Sequence, residues 1–332
     1  MRPPLFWAAG ADHPVARCLA PLGAAYGALT ARRMDRPGTR AGCPVLCLGN
    51  FTLGGAGKTP AAIAVVALLA ELGRKPAFLS RGYGGRLAGP VRVDLNGHTA
   101  ADVGDEPLLL ARHAPTVVSR DRPAGAALCR SLGADVIVMD DGLQNPTLAR
   151  DLTWVVVDGG AGVGNNRPFP AGPLRAPLAR QWPHVAGLIL VGDDPPGASV
   201  AEMAERRGLP VHRAQLIPEG AGFAGRRCLA FAGIGRPEKF FATLRGAGAV
   251  IAAERSFPDH HPYRDADLAA LAAEAARLGA DLVTTEKDAV RLPAAFANRV
   301  GVLRVRLVPA DPETLRQQIR QALSEATDAR FP

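Results

Sequence analysis

The strongest constraint in this chain is the run GNFTLGGAGKTP, from Gly49 to Pro60. It follows a short apolar stretch, VLCLGN at 45–50, and leads into a helical pattern from Ala61 to Leu72 that stops at Gly73. A strand, a glycine-rich loop and a helix in that order aim backbone amides and a helix N-terminus at one anion. Gly54, Gly55 and Gly57 let the backbone turn. Lys58 can then reach the outer phosphates of a nucleotide, and the Thr59 hydroxyl can hold Mg²⁺. The usual pattern has a glycine where Thr52 stands, so the loop departs from it at one position. Thr52, Leu53, Gly54, Gly55, Ala56, Gly57, Lys58 and Thr59 are the expected ATP contacts. The bland alternative is a structural turn ahead of an incidental lysine.

Such a loop belongs on a parallel sheet, and the chain supplies one. AFLS (77–80), TVVSR (116–120), DVIVMDD (135–141), LTWVVVD (152–158) and GLILVGDD (187–194) are continuous apolar runs, as strands covered on both faces require. Helical stretches at 107–113 and 123–132 lie between them, the second ended by Gly133. A shorter α/β series starts near Arg227, with strands at 228–234, 249–257 and 281–288 and helices at 237–244 and 265–278. The turn-prone stretch 195–225 reads as a linker. The expected fold is a P-loop NTPase-like three-layer α/β/α domain with a second, smaller α/β domain and an N-terminal amphipathic helix. The expected boundaries are 1–35 for the helix region, 36–222 for the P-loop domain and 223–332 for the smaller one. A length of 332 residues accommodates this, and 37 glycines with 29 prolines suit many strand-to-helix turns.

Composition adds less. The net charge is +8, and only four of 39 basic residues are lysines, namely Lys58, Lys75, Lys239 and Lys287. Arginine forks pair with phosphate, so a phosphorylated substrate, an anionic membrane or nucleic acid are all compatible with this balance. The five cysteines are scattered without metal-ligand spacing and read as small core residues in a reducing compartment. No run of eighteen apolar residues could span a bilayer. Near the N-terminus, Val15, Leu19, Leu22, Tyr26 and Leu29 fall on one helix face, with Leu5, Phe6 and Trp7 upstream and Arg32 and Arg33 behind. That face suits either a membrane surface or the protein's own core.

Other motifs carry candidate chemistry. Asp140 and Asp141 end an apolar strand, where a metal-holding acid is expected beside a phosphate loop, and Gln144 lies within reach. In GDEP (104–107), Asp105 is either a helix cap or an acceptor of a substrate hydroxyl proton. FPDHHPY (257–263) sets His260 and His261 beside acids, as a proton relay or as incidental loop residues. Asn165, Arg167 and Arg175 of NNRPFPAGPLR are candidate substrate contacts, and TTEKD (284–288) places the scarce Lys287 at a strand end. Either basic feature could equally be surface ion pairing.

Taken in order, GNFTLGGAGKTP, SRGYGG (80–85), GDEP, DDGLQ (140–144), PAGPLR, FPDHHPY and TTEKD resemble the tetraacyldisaccharide 4′-kinase family of Gram-negative bacteria. The resemblance runs from about residue 40 to 310. The family's own loop reads GN-x-T-x-G-G-x-G-K-T-P, so Thr52 is its normal form. The resemblance implies transfer of the ATP γ-phosphoryl, with Mg²⁺, to the 4′-hydroxyl of a lipid A disaccharide 1-phosphate, giving lipid IVA. It further implies a monotopic protein at the cytoplasmic face of the inner membrane, anchored by the N-terminal helix. The catalytic dyad falls on Asp105 with His260 or His261, His260 being favoured. Asp140 and Asp141 become metal and nucleotide ligands, and Arg122, with Arg120 as rival, assists phosphate binding. The family's acid after PAGPLR is replaced here by Ala176. A monomer with no nucleic-acid partner is expected. The rival reading is a regulatory or partitioning-type ATPase at the membrane surface; its loop needs a lysine where Leu53 stands.

Overall fold

The computed structural model describes residues 4–220 and 222–328, so the outer ends of the expected first and last segments lie outside it. Among those residues twelve strands form one continuous sheet. In chain order they are β1 (Val45–Gly49), β2 (Pro76–Ser80), β3 (Val91–Arg92), β4 (Thr116–Val118), β5 (Val136–Asp140) and β6 (Leu152–Asp158). These are followed by β7 (Gly187–Val191), β8 (Val211–Glu219), β9 (Arg227–Ala232), β10 (Val250–Ser256), β11 (Asp281–Thr285) and β12 (Gly301–Pro309). Their spatial order is β10-β9-β11-β12-β8-β7-β6-β1-β5-β2-β4-β3. Every ladder is parallel except β3 with β4 and β8 with β12.

The sequence explains the centre of this sheet. β1, β5 and β7 are buried along their whole length, because helices cover both faces. One covering helix, Lys58–Glu71, hereafter the loop helix, is apolar nearly all round. It needs a second cover, which the C-terminal helix Pro312–Asp328 provides: Leu315, Ile319 and Leu323 join the same cluster as Ala62, Val65 and Leu69. Two further clusters draw only on residues between Phe223 and Leu303, around β9, β11 and their flanking helices. The last strand and helix of the chain thus leave the second set of cores and return to the first.

The expected linker at 195–225 is corrected. It holds the helix Pro195–Glu205 and the nine-residue strand β8, paired with β7 on one side and β12 on the other. β8 alternates buried and exposed residues and carries His212, Arg213 and Gln215, so it lacks the apolar run of its neighbours. The helix opens on two prolines, which read as a turn but sit comfortably in a first helical turn.

The N-terminal helix spans Pro14–Met34, longer than its apolar pattern. Its small residues Ala16, Gly23, Gly27 and Ala31 face the protein. A Cβ on Gly23 would lie 2.7 Å from the Pro168 carbonyl oxygen, and one on Gly27 would lie 2.9 Å from Pro177. Leu22 and Leu29 point outward, each 62% exposed. No helix among the described residues is long and apolar enough to cross a membrane.

Candidate active site

The site forms where β1 and β5 end side by side, with Leu48 in register with Asp140. β5 is reached from β4 on one side and continues to β6 on the other, so the sheet reverses winding direction at this crevice, the usual place for ligands in such folds. Gly57 caps the loop helix with φ of 85°, a left-handed conformation that glycine takes without strain. Gly54 and Gly55 are exposed, with open space where a side chain would stand. Lys58 is buried at the helix start, 3.8 Å from Asp141.

The segment that carries PAGPLR runs against this loop. Leu53 N donates to Pro173 O at 2.8 Å, and Arg175 N donates to Phe51 O at 2.9 Å. The Arg175 side chain donates to Thr52 O and to Asp141 Oδ2, both at 2.9 Å. Thr52 and Leu53 therefore shape the loop through bonds to this segment. Gln144 donates to Asn50 O and Gln181 Oε1 and accepts from Arg175. Its amide thus links the loop to Arg175 and Gln181 beside the expected cofactor site.

Two neighbouring acids are shifted in opposite directions. Burial and the negative charge of Glu106 push Asp140 up to about 7. Burial also works against ionised Asp141, but the Lys58 and Arg175 cations hold it well below the usual carboxylate range. Asp140 Oδ1 and Asp141 Oδ1 are both buried without a hydrogen-bond partner. Arg122 lies beneath them, 1% exposed, and donates to the carbonyl oxygens of Leu79 and Asp140 at 3.1 and 3.2 Å. In this arrangement the guanidinium ties two strand ends together below the expected phosphate site. Asn165, an expected substrate contact, is buried. Its amide donates to Phe6 O and Ala171 O and accepts from Arg167 N, so it seats the N-terminal segment. Arg167 reinforces that seat through Ala11 O.

Across the crevice, Asp105 is 3% exposed at the start of the helix Asp105–Leu110. The preceding Gly104, at φ of 89°, passes so close to Tyr83 that a Cβ would lie 2.4 Å from its carbonyl oxygen. Asp105 Oδ2 lies 2.9 Å from His260 Nδ1. Burial raises the Asp105 pKa, but the bond to His260 and the charges of Lys287, His260 and Arg291 outweigh it and hold the carboxylate ionised. His261 turns away, bonds Asp267 at 3.0 Å and stacks on Phe257. Of the two candidates, the one that meets Asp105 is therefore His260, because adjacent side chains on this loop point apart.

Two further groups line the crevice, and their partners are not evident from the sequence. The Tyr83 ring lies 5.5 Å from that of His260. Lys287 donates to Glu106 at 2.7 Å, joining the TTEKD turn to the GDEP helix. Lysine scarcity marked Lys287 in advance, and SRGYGG marked Tyr83; neither motif says what it faces.

A sequence model of the tetraacyldisaccharide-1-P 4′-kinase family matches residues 15–324. A tetraacyldisaccharide 4′-kinase of Methylobacterium radiotolerans is 76% identical over 323 residues, covering 97% of this chain and 99% of that protein. One from Methylorubrum extorquens strain PA1 is 68% identical over 327 residues, covering 98% and 100%. The chain belongs to this kinase family. Among solved structures, the "apo" form of LpxK from Aquifex aeolicus in complex with ATP shares the fold, with a TM-score of 0.71 and 24% identity. That match covers 93% of this kinase and 99% of the Aquifex chain.

Proposed function

We propose that the protein transfers the γ-phosphoryl group of ATP to the 4′-hydroxyl of a tetraacyldisaccharide 1-phosphate, the lipid A precursor, giving lipid IVA. The observation that carries this reading is the Asp105–His260 pair, drawn together at 2.9 Å from positions 155 residues apart at the mouth of the phosphate loop. Phosphoryl transfer asks a protein mainly for positioning and charge stabilisation. Lys58 and the amides of Gly54–Gly57 bind the outer phosphates. Arg175 is placed to meet the same charge, or that of the substrate, from the side of Asp141. Asp105, kept ionised and oriented by His260, accepts the 4′-hydroxyl proton as the oxygen attacks phosphorus.

Mg²⁺ fits the residues present. Two buried carboxylate oxygens without a hydrogen-bond partner, Asp140 Oδ1 and Asp141 Oδ1, suit a cation or its water shell. Asp140, Asp141 and Thr59 would hold it, and bound Mg²⁺ would neutralise charge on the phosphates. Asp140 is the stronger candidate, since Asp141 already pairs with Lys58 and Arg175.

The N-terminal helix gives the enzyme a lipid-facing surface at the cytoplasmic side of the inner membrane. Its Leu22 and Leu29, with Phe169 packed against Tyr26 and Trp7, form an outward apolar face. Such a face lies in an interface without spanning it. The test is transfer of labelled phosphate from ATP to the disaccharide lipid in the presence of Mg²⁺. ATP hydrolysis with no labelled lipid product would favour the regulatory ATPase reading instead.

A further inference from the structure

Arg291, one of the cations that keep Asp105 ionised, is also half of a buried ion pair with Asp288. Asp288 is 0% exposed in the short helix Glu286–Ala289 that follows β11. Its Oδ1 accepts from Gly233 N at 2.8 Å, the Tyr263 hydroxyl at 2.6 Å and Arg291 Nη2 at 2.8 Å; its Oδ2 accepts from the Thr285 hydroxyl at 2.6 Å. Four donors on one carboxylate leave it no freedom to move. Arg291 is held by it and reaches further. Its side chain, 6% exposed, donates to Gly233 O at 3.0 Å, His261 O at 3.2 Å and Lys287 O at 3.0 Å.

Those carbonyls frame His260. Gly233 O also accepts from His260 N at 3.1 Å, and His261 is the next residue in the chain. His260 itself stands at φ of 58°, a left-handed conformation that a non-glycine residue keeps only where its surroundings over-determine it. The same guanidinium lies 3.7 Å from Asp105 Oδ2, the oxygen that meets His260 Nδ1. Arg291 therefore touches both halves of the dyad: the backbone that aims the imidazole, and the carboxylate it is aimed at. Lysine could supply the charge but not the planar fork that spans two carbonyls and an acid.

We infer that Arg291, anchored by Asp288, is the positioning residue that sets the His260 imidazole against Asp105. The inference rests on reading that pair as the base that activates the acceptor hydroxyl. The other charged or titratable groups facing the pair are Lys287, which bonds Glu106; Asp259, 3.8 Å from His260 Nε2; and Tyr83.

The test uses the full chain with ATP, Mg²⁺ and the tetraacyldisaccharide 1-phosphate, comparing Arg291→Gln, Arg291→Lys, Asp288→Asn and Asp105→Asn. Arg291→Gln is expected to lower kcat about 10- to 100-fold, the scale of a one-ångström misplacement, and to leave the KM for ATP within about threefold. Asp288→Asn should fall in the same direction. Losing a cation beside the pair favours proton uptake there, so the acid limb of kcat should move to higher pH in Arg291→Gln. Arg291→Lys should restore the limb and part of the rate. A folded Arg291→Gln with kcat within about threefold of the parent would overturn the inference. So would equal losses in the Gln and Lys variants with an unmoved pH limb, or loss of fold in both. If Asp105→Asn keeps the parent rate, the reading of the pair as base fails instead.

Discussion

The phosphate loop and the dyad that faces it are built in opposite ways. The phosphate-binding parts of the loop are local: β1, the glycines, Lys58 and Thr59 follow one another along the chain, and the PAGPLR segment braces them from outside. The dyad is assembled at long range. Asp105 comes from the first series of strands and His260 from the second, and they meet only because one sheet runs through β8 and β12. A contiguous motif tolerates change elsewhere in the chain. An assembled one depends on every element between its parts, which is why buried groups such as Asp288 and Arg291 gather on the side of His260.

This contrast can be broken by mutation. The largest effect is expected from Asp105→Ala, which should lower kcat by about 10²- to 10⁴-fold, the range for a general base, with ATP binding by calorimetry largely kept. An unchanged rate would remove Asp105 from the chemistry. Lys58→Ala strikes the local half and should reduce kcat/KM for ATP by about 10²- to 10³-fold, as loss of one preorganised charge-stabilising donor does. Unlike Asp105→Ala it should weaken ATP binding itself; normal nucleotide kinetics would make the loop structural. Replacing both Leu22 and Leu29 with Glu should reduce partition onto anionic vesicles by about tenfold or more per leucine, given about 1.5–3 kcal/mol per buried leucine side chain. Phosphorylation of a detergent-dispersed acceptor should change little, and undiminished vesicle binding would place the lipid-facing surface elsewhere. The smallest effect sharpens the comparison most. His261→Ala should leave kcat within about threefold of the parent while His260→Ala approaches Asp105→Ala; the reverse order would contradict the geometry of the loop.

Much of the architecture was open to reading along the chain, with instructive exceptions. The strands β1, β5, β6 and β7 announce themselves because a strand covered on both faces is apolar throughout. β8 and the helix Pro195–Glu205 read as a linker because a half-exposed strand carries His212 and Arg213, and a proline-led helix looks like a turn. The loop helix shows the converse. Its all-round apolar character signals burial but does not say that the C-terminal helix, some 250 residues on, is the cover.

The same divide runs through the site. Residue type and local spacing suffice for a phosphate-binding loop, since backbone amides and a helix N-terminus within a few residues do the work. They also suffice to mark Asp105, Asp140 and His260 as groups with chemistry to offer. Folding across distant elements settles which of those groups meet. It directs His260 and not His261 to Asp105, bonds Asn165, Gln144 and Arg122 to distant backbone carbonyls, and turns the small face of the N-terminal helix inward with its leucines outward. The reason is physical: a side chain's partner depends on where a distant segment packs, and buried contacts of that kind leave no periodic trace in the order of residues.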